Sequence, residues 1–219
     1  SWGWCTLGGN IAENAGGPRA LKYGVTREYV LGMEWVMPDG EVLRVGRRTI
    51  KGVAGYDLVG LLVGSEGTLG IATEITLQLL PLPREVQTAL LVFSDVRQAA
   101  RAVSAILAAG VLPRTLELMD DLAVKAVDGK GFNFPPETGA CVLAEVDGNV
   151  PEAVFGELAR LGEIAEQHGA KETWLAQDEG QREKLWAARR TVSIALRGLA
   201  KHKLSEDLVV PRSRIQEMI

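Results

Sequence analysis

Two periodicities divide the chain. From Ile71 the residues Ile71, Thr73, Ile75, Leu77 and Leu79 fall on one face and Glu74, Thr76 and Gln78 on the other, the period-two pattern of a half-buried strand. Upstream, Tyr29 to Met37 and Glu41 to Val45 are partly alternating apolar runs separated by Pro38-Asp39-Gly40. Those three residues are turn chemistry, so the pattern predicts a hairpin.

Beyond residue 83 strand and helix patterns alternate. Val86 to Phe93 reads as a strand, after which Ser94 or Asp95 caps a helix running to Ala109. Val96, Ala99, Ala100, Val103, Ile106 and Leu107 line one side of that helix and Gly110 stops it. Leu116 to Met119 and Cys141 to Val146 predict further strands, and Glu152 to His168 a long amphipathic helix ended by Gly169. Thr173 to Ala176 reads as a strand, Gln181 to Leu199 as a last long helix, and Leu208 to Val210 as a final strand. The order strand, helix, strand, strand, helix, strand is ferredoxin-like, an antiparallel sheet covered on one face by helices, and the class is α+β.

Composition sharpens the division. Of 25 glycines, 15 lie in the first 83 residues of the 219, and the density changes at Pro81-Leu82-Pro83, where two prolines remove backbone donors and favour an extended linker. Two domains are therefore expected, 1–83 and 84–219. Lys and Arg number 24 against 28 Asp and Glu, and a net charge of −4 argues against a phosphate backbone as the main partner. Cys5 and Cys141 are too few for a disulfide scaffold and read as small apolar residues of a reduced, cytoplasmic protein. No apolar run reaches the length of a membrane span, and the start does not resemble a signal peptide. Opening at Ser1-Trp2, the chain reads as an interior piece of a longer protein. Its far end reads as a helix cut short, with Ser213 and Gln216 as a capping box and Ile215, Met218 and Ile219 on an apolar face.

Several common chemistries are missing. There is no Gly-x-Gly-x-x-Gly and no P-loop, and His168 and His202 with two lone cysteines do not make a zinc site. His168 beside Gly169 reads as a helix cap. Ser65, in Gly64-Ser65-Glu66-Gly67, is not a nucleophile elbow. What remains is a set of Gly-rich loops. Gly8-Gly9-Asn10 to Asn14-Ala15-Gly16-Gly17 places glycine pairs at both ends of ten residues. Such a segment is either a run of ordinary turns or a concave surface where a flat or charged ligand meets backbone N–H groups, with side-chain hydrogen bonds from Asn14. A second loop, Gly64-Ser65-Glu66-Gly67-Thr68-Leu69-Gly70, leads into the strand at Ile71 and not into a helix, which favours close backbone packing on a ligand over a dipole-assisted phosphate site. Between them lie Lys22-Tyr23-Gly24 and Gly55-Tyr56-Asp57, whose tyrosines are either core or ligand contacts.

In order, spacing and wording, Gly8 to Gly17, Lys22-Tyr23-Gly24-Val25, Lys51 through Gly55-Tyr56-Asp57-Leu58, and Gly64 to Ile71 resemble consecutive signatures of the FAD-linked oxidases, the family of the glycolate oxidase FAD subunit and D-lactate dehydrogenase. Glu117-Leu118-Met119-Asp120, Trp186-Ala187-Ala188-Arg189 and Glu206-Asp207-Leu208-Val209-Val210-Pro211 continue the resemblance into the family's substrate-capping domain. Gly52 departs from it, the family often having Asn there.

The resemblance implies the second half of a p-cresol-methylhydroxylase-type FAD-binding domain, the fold shared with vanillyl-alcohol oxidase, followed by a partial ferredoxin-like α+β capping domain. It implies that a pyrophosphate-binding loop lies upstream and that histidine and acidic motifs lie downstream of Ile219. FAD is the implied cofactor, contacted through Gly8, Gly9, Asn10, Asn14, Gly16, Gly17, Tyr23, Gly24, Gly55, Tyr56, Gly64, Glu66, Gly67, Gly70 and Ile71. The implied reaction oxidises glycolate or a small D-2-hydroxy acid to the 2-oxo acid, a base taking the hydroxyl proton as Cα gives hydride to the flavin. Arg189 is then the candidate carboxylate clamp, or else a surface arginine beside Arg190, and Ser193 lies one helical turn further on the same face. Implied partners are flavin-fold and iron–sulfur subunits, which would bring the chain to the inner face of a membrane, and exposed apolar surface predicts self-association. A non-catalytic flavin-fold subunit and an isolated ferredoxin-like binding module are the alternatives that the residues leave open.

Overall fold

A computed structural model describes residues 3–49, 51–129, 133–198 and 202–218. The chain separates into two compact units, Ser1–Leu82 and Pro83–Ile219.

The first unit opens with helix α1 (Leu7–Glu13), capped by Thr6, whose side chain accepts from the Gly9 N–H. This corrects the loop expected from Gly8. Two glycines in a helix cost about 1 kcal/mol each relative to Ala, yet Ile11 is wholly buried in the unit's core and repays that by anchoring the helix. A short helix α2 (Ala20–Tyr23) and a 3-10 turn (Thr26–Tyr29) lead into strands β1 (Val30–Val36) and β2 (Val42–Gly46), joined by the expected turn. Helix α3 (Leu58–Leu62), which the patterns did not predict, is capped by Asp57 and buries Val59 and Leu62. Strand β3 (Ile71–Leu77) completes an antiparallel sheet in the order β2-β1-β3.

The β3 alternation is not continuous. The pairing of Glu34 with Glu74 is followed by Trp35 with Ala72, a bulge that shifts the phase by one residue. Ile75 and Leu77 therefore join Ala72 against the core of Ile11, Val30, Met33, Trp35, Val59, Leu62 and Val63, while Ile71 turns outward and is 68% exposed. Leu79 lies beyond the strand and is exposed.

In the second unit β4 (Glu85–Phe93), α4 (Val96–Ala108), β5 (Thr115–Met119), α5 (Asp121–Val127), β6 (Ala140–Gly148), α6 (Pro151–Gln167) and β7 (Ala170–Leu175) form an antiparallel sheet in the order β5-β6-β4-β7. That is the ferredoxin-like strand order. Both sheet faces are covered, however, and not one. Leu91, Phe93, Val142 and Ala144 pack under α4 and α6. Leu90, Cys141 and Leu143, one residue out of phase, pack under α5 and a long helix α7 (Glu179–Leu196). Two-sided burial explains why β4 and β6 read as nearly continuous apolar runs. Helix α5 went unpredicted although Asp120 caps it through the Ala123 N–H and Ala123, Val124 and Val127 face the core.

Residues 208–210 form no strand, and residues 202–211 carry no regular element before a 3-10 turn (Arg212–Arg214) and helix α8 (Ile215–Met218). Leu199 and Ile219 lie outside the described residues, as does the Gln216 side chain of the expected capping box. His168 is the C-cap of α6, with Nδ1 2.8 Å from the Ile164 carbonyl oxygen. Cys141 is buried in β6, where loss of hydration pushes its thiol up to about 12, while Cys5 is exposed. No helix of the described residues is long and apolar enough to cross a membrane.

Candidate functional site

In the first unit the C-terminal end of α1 is stitched to the loop at 64–70. Gly64 N–H donates to the Ile11 carbonyl and Glu66 N–H to the Ala12 carbonyl, both at 2.9 Å. Asn14 ends the helix in the left-handed conformation at φ 49°, and its Oδ1 accepts from the Arg27 N–H at 2.9 Å. Arg27 Nη2 in turn donates to the Val63 carbonyl at 2.9 Å. Asn14 is thus a joint between three segments, a role its place in a Gly-rich run did not disclose.

The 64–70 loop carries left-handed backbone at Gly64, Glu66, Gly67 and Gly70. At Gly70 a side chain is excluded by packing, because a Cβ would lie 2.3 Å from Trp35 Nε1, which donates to the Leu69 carbonyl. Gly67 is different: φ is +75° and no protein atom lies within 4 Å of where a Cβ would be. The same openness separates the other candidate glycines. Gly8, Gly17 and Gly55 face open space, whereas Gly9 meets Thr6, Gly16 meets Val25, Gly24 meets the Glu28 carboxylate and Gly64 meets Asn14. Ser65 Oγ is buried with no hydrogen-bond partner among the described residues. Tyr56 is 95% exposed and so is not core. Tyr23 is half-buried, with Lys22 Nζ 5.7 Å from its ring centroid, and its carbonyl accepts from the Tyr29 hydroxyl. The Tyr29 phenol is held above its usual range, first by burial and then by the Glu28 carboxylate. Asn10 lies within α1 beside Gly8 and Gly9.

In the second unit the chemistry gathers along α7. Arg182, Trp186, Arg189 and Ser193 recur at helical spacing and border its buried stripe of Leu185, Ala188, Val192 and Ala195. Arg189 lines an open groove of about 430 Å³ with Leu118, Met119, Asp120, Ala123 and Val192. Its Nε donates to Glu117 Oε2 at 2.6 Å, the only hydrogen bond its guanidinium makes among the described residues. Ser193 Oγ accepts from Lys203 Nζ at 2.7 Å. Ser193, one helical turn from Arg189, thus brings a second cation to the side of α7. Sequence reasoning missed Lys203 and Glu117 as site residues; Glu117 was visible as a carboxylate in an otherwise apolar strand, whereas Lys203 follows a helix end and carries no periodic signal.

Among the described residues no group of three or more His, Cys, Asp and Glu is arranged to hold a metal ion.

Comparison with known proteins gives a consistent picture. A family described as FAD linked oxidases, C-terminal domain, matches residues 82–219, and one described as FAD binding domain matches residues 1–46. A glycolate oxidase subunit GlcD of Bacillus subtilis is 42% identical over 98% of this chain and 46% of its own length. The subunit of the same name from Escherichia coli K12 is 39% identical over 95% of this chain and 42% of its own. A D-lactate dehydrogenase of Anaerostipes hadrus is 34% identical over 99% of this chain and 47% of its own. The chain thus spans less than half the length of these relatives. A solved alkyldihydroxyacetonephosphate synthase covers 89% of the chain, and 37% of its own, with a TM-score of 0.66 at 22% identity, a likeness of fold.

Proposed function

The chain belongs to the FAD-linked oxidases, and from that premise we propose that it is part of a flavoenzyme that oxidises glycolate or a small D-2-hydroxy acid such as D-lactate to the 2-oxo acid. Residues 1–83 supply part of the FAD-binding domain and residues 84–219 part of the substrate-capping domain. The observation that carries the substrate class is the cationic edge of α7, where Arg189 and the Ser193–Lys203 pair can receive a carboxylate.

The first unit fits the cofactor. Backbone at Gly8, Gly17, Gly55 and Gly67 is open to close approach, and the buried Ser65 hydroxyl lacks a protein partner. These residues, with Asn10, Tyr56, Glu66 and the outward-turned Ile71, would hold FAD. Bound FAD supplies the two-electron acceptor that amino-acid side chains lack.

This chain's own residues bind and orient the substrate. Glu117 engages Arg189 through Nε, leaving the paired Nη donors for a bidentate carboxylate. Lys203 adds a point charge, and the Ser193 hydroxyl, which already accepts from Lys203, keeps its own proton to donate. Met119, Ala123 and Val192 line the groove beside Arg189, which stays open to solvent. The relatives' description as glycolate oxidase subunits supports assembly with further chains, flavin-fold and iron–sulfur subunits being the proposed ones.

The test is turnover of the full-length protein with a dye acceptor. Reduction of the dye by D-lactate or glycolate, and not by L-lactate, is expected; turnover confined to substrates without a carboxylate would overturn the reading.

A further inference from the structure

Beneath α7 lies a buried charged cluster that the proposed substrate contacts do not use. Glu145 on β6 is wholly buried, and Arg114 and Asp147 beside it are 8% and 3% exposed. Both oxygens of the Glu145 carboxylate are engaged, by three hydrogen bonds and an ion pair. Its Oε2 accepts from Arg114 Nε at 2.7 Å and lies 2.7 Å from Arg114 Nη2 in the same ion pair. Its Oε1 accepts from Thr88 Oγ1 at 2.9 Å and from Trp186 Nε1 at 2.7 Å. Arg114 Nη1 reaches Asp147 Oδ2 at 3.3 Å.

Stability alone does not call for such a cluster, since apolar residues of similar volume often do as well or better than a buried ion pair. Its geometry does something else. Trp186 and Arg189 are three residues apart on α7, hence neighbours on one face. Glu145 and Glu117 lie on the same face of the sheet, because Thr115 pairs with Glu145 and Glu117 with Leu143 across β5 and β6. Two carboxylates of one rigid sheet therefore grip successive side chains of one helix, Glu145 through Trp186 and Glu117 through Arg189. The buried stripe of Leu185, Ala188, Val192 and Ala195 seats α7 on the sheet, and the two polar grips beside it refine the roll of the helix and so where the Arg189 guanidinium sits.

We propose that Glu145, clamped by Arg114, is a positioning residue for Arg189: through the Trp186 indole it sets the rotation of α7 and so the affinity of the carboxylate clamp. The proposal rests on the reading of Arg189 as that clamp. It goes beyond it in making substrate affinity depend on a buried carboxylate that no substrate touches.

The experiment uses the full-length FAD-loaded protein with D-lactate as substrate and oxalate as a non-reacting carboxylate probe. Trp186→Phe removes the N–H and keeps most of the ring. It should raise KM for D-lactate about tenfold with kcat within about twofold, and weaken calorimetric oxalate binding by the same factor. Thr88→Val loosens the same carboxylate without altering α7 and should move both quantities in the same direction by less; it also serves if Trp186→Phe folds poorly. Leu161→Ala, in the core on the opposite sheet face, should lower Tm and leave KM unchanged, which separates positioning from general destabilisation. Wild-type KM and oxalate affinity in both Trp186→Phe and Thr88→Val, with Arg189→Lys impaired in both, would overturn the positioning role alone. An Arg189→Lys protein with wild-type values would instead remove the clamp and with it anything to position.

Discussion

Arg189→Lys separates a substrate clamp from a surface ion pair. In the wild type Nε is committed to Glu117 at 2.6 Å, while the guanidinium keeps two further nitrogens for a ligand. A lysine has one nitrogen. It can keep the Glu117 contact or reach the substrate carboxylate, and it loses the two-pronged geometry in either case. One charge-assisted hydrogen bond is worth about 1.5 to 3 kcal/mol, so kcat/KM for D-lactate or glycolate should fall by about one to two decades. The fold should barely respond. The Arg189 side chain is 38% exposed, and a pair screened to that degree contributes about 0.2 to 1 kcal/mol. Steady-state kinetics on the full-length protein, with Tm and FAD content measured on the same preparation, supply the comparison. Unchanged kcat/KM would return Arg189 to the surface, and a fall accompanied by lost FAD or a collapsed Tm would refute the reasoning that assigns the loss to the substrate.

Other consequences can be checked separately. Gly67→Asn keeps a residue tolerant of left-handed backbone but fills the open space beside the loop, so FAD affinity of the full-length protein should fall at least tenfold with Tm nearly unchanged; undiminished flavin retention would remove Gly67 from the cofactor surface. In native protein one thiol, Cys5, should react with a maleimide and Cys141 should not until denaturant is added. Because burial raises the Cys141 pKa from 9.0 to about 12, its stabilising contribution is intact below pH 9 and is lost as pH rises towards 12. The stability gap between wild type and Cys141→Ala, followed by urea melts from pH 8 to pH 11, should therefore narrow, and a constant gap would contradict that. The 219-residue chain spans less than half the length of its glycolate oxidase relative, and under the proposed assignment of its open glycines to part of the cofactor surface it should not retain FAD through desalting on its own; one FAD per chain would show otherwise.

What could be read from the sequence, and what could not, follows from which forces were local. The ferredoxin-like unit was legible because α4 and α6 carry full apolar stripes and caps, Asp95 accepting from the Arg97 N–H at 2.7 Å. In its second helical layer α7 was legible as a helix, but the sheet face it covers was not, because it keeps Trp186 and Arg189 on polar partners and presents a broken stripe, and the short α5 was missed. In α1 the glycines at 8 and 9 outweighed the helix signal of Thr6, Leu7 and Ile11, although Thr6 is an ordinary N-cap and Ile11 is pulled inward by a core assembled from distant segments. Ile71 faced the wrong way because a bulge has no local signature in an alternating run. Leu208, Val209 and Val210 have strand propensity, yet they join neither sheet of the described residues, since a strand needs a partner that propensity does not supply. For the site, residue type pointed to Arg189, but its partner Glu117 lies 72 positions away and only the fold brings them together.

In the proposed reaction, FAD in the full-length protein takes two electrons from a small D-2-hydroxy acid held by this chain. Anaerobic addition of D-lactate or glycolate to the purified flavoprotein, followed by absorbance, tests it most directly. The oxidised flavin band should bleach in one turnover, with one equivalent of the 2-oxo acid formed per flavin, and L-lactate should leave it intact. A flavin that stays oxidised with both D-lactate and glycolate, yet bleaches with dithionite, would contradict the account.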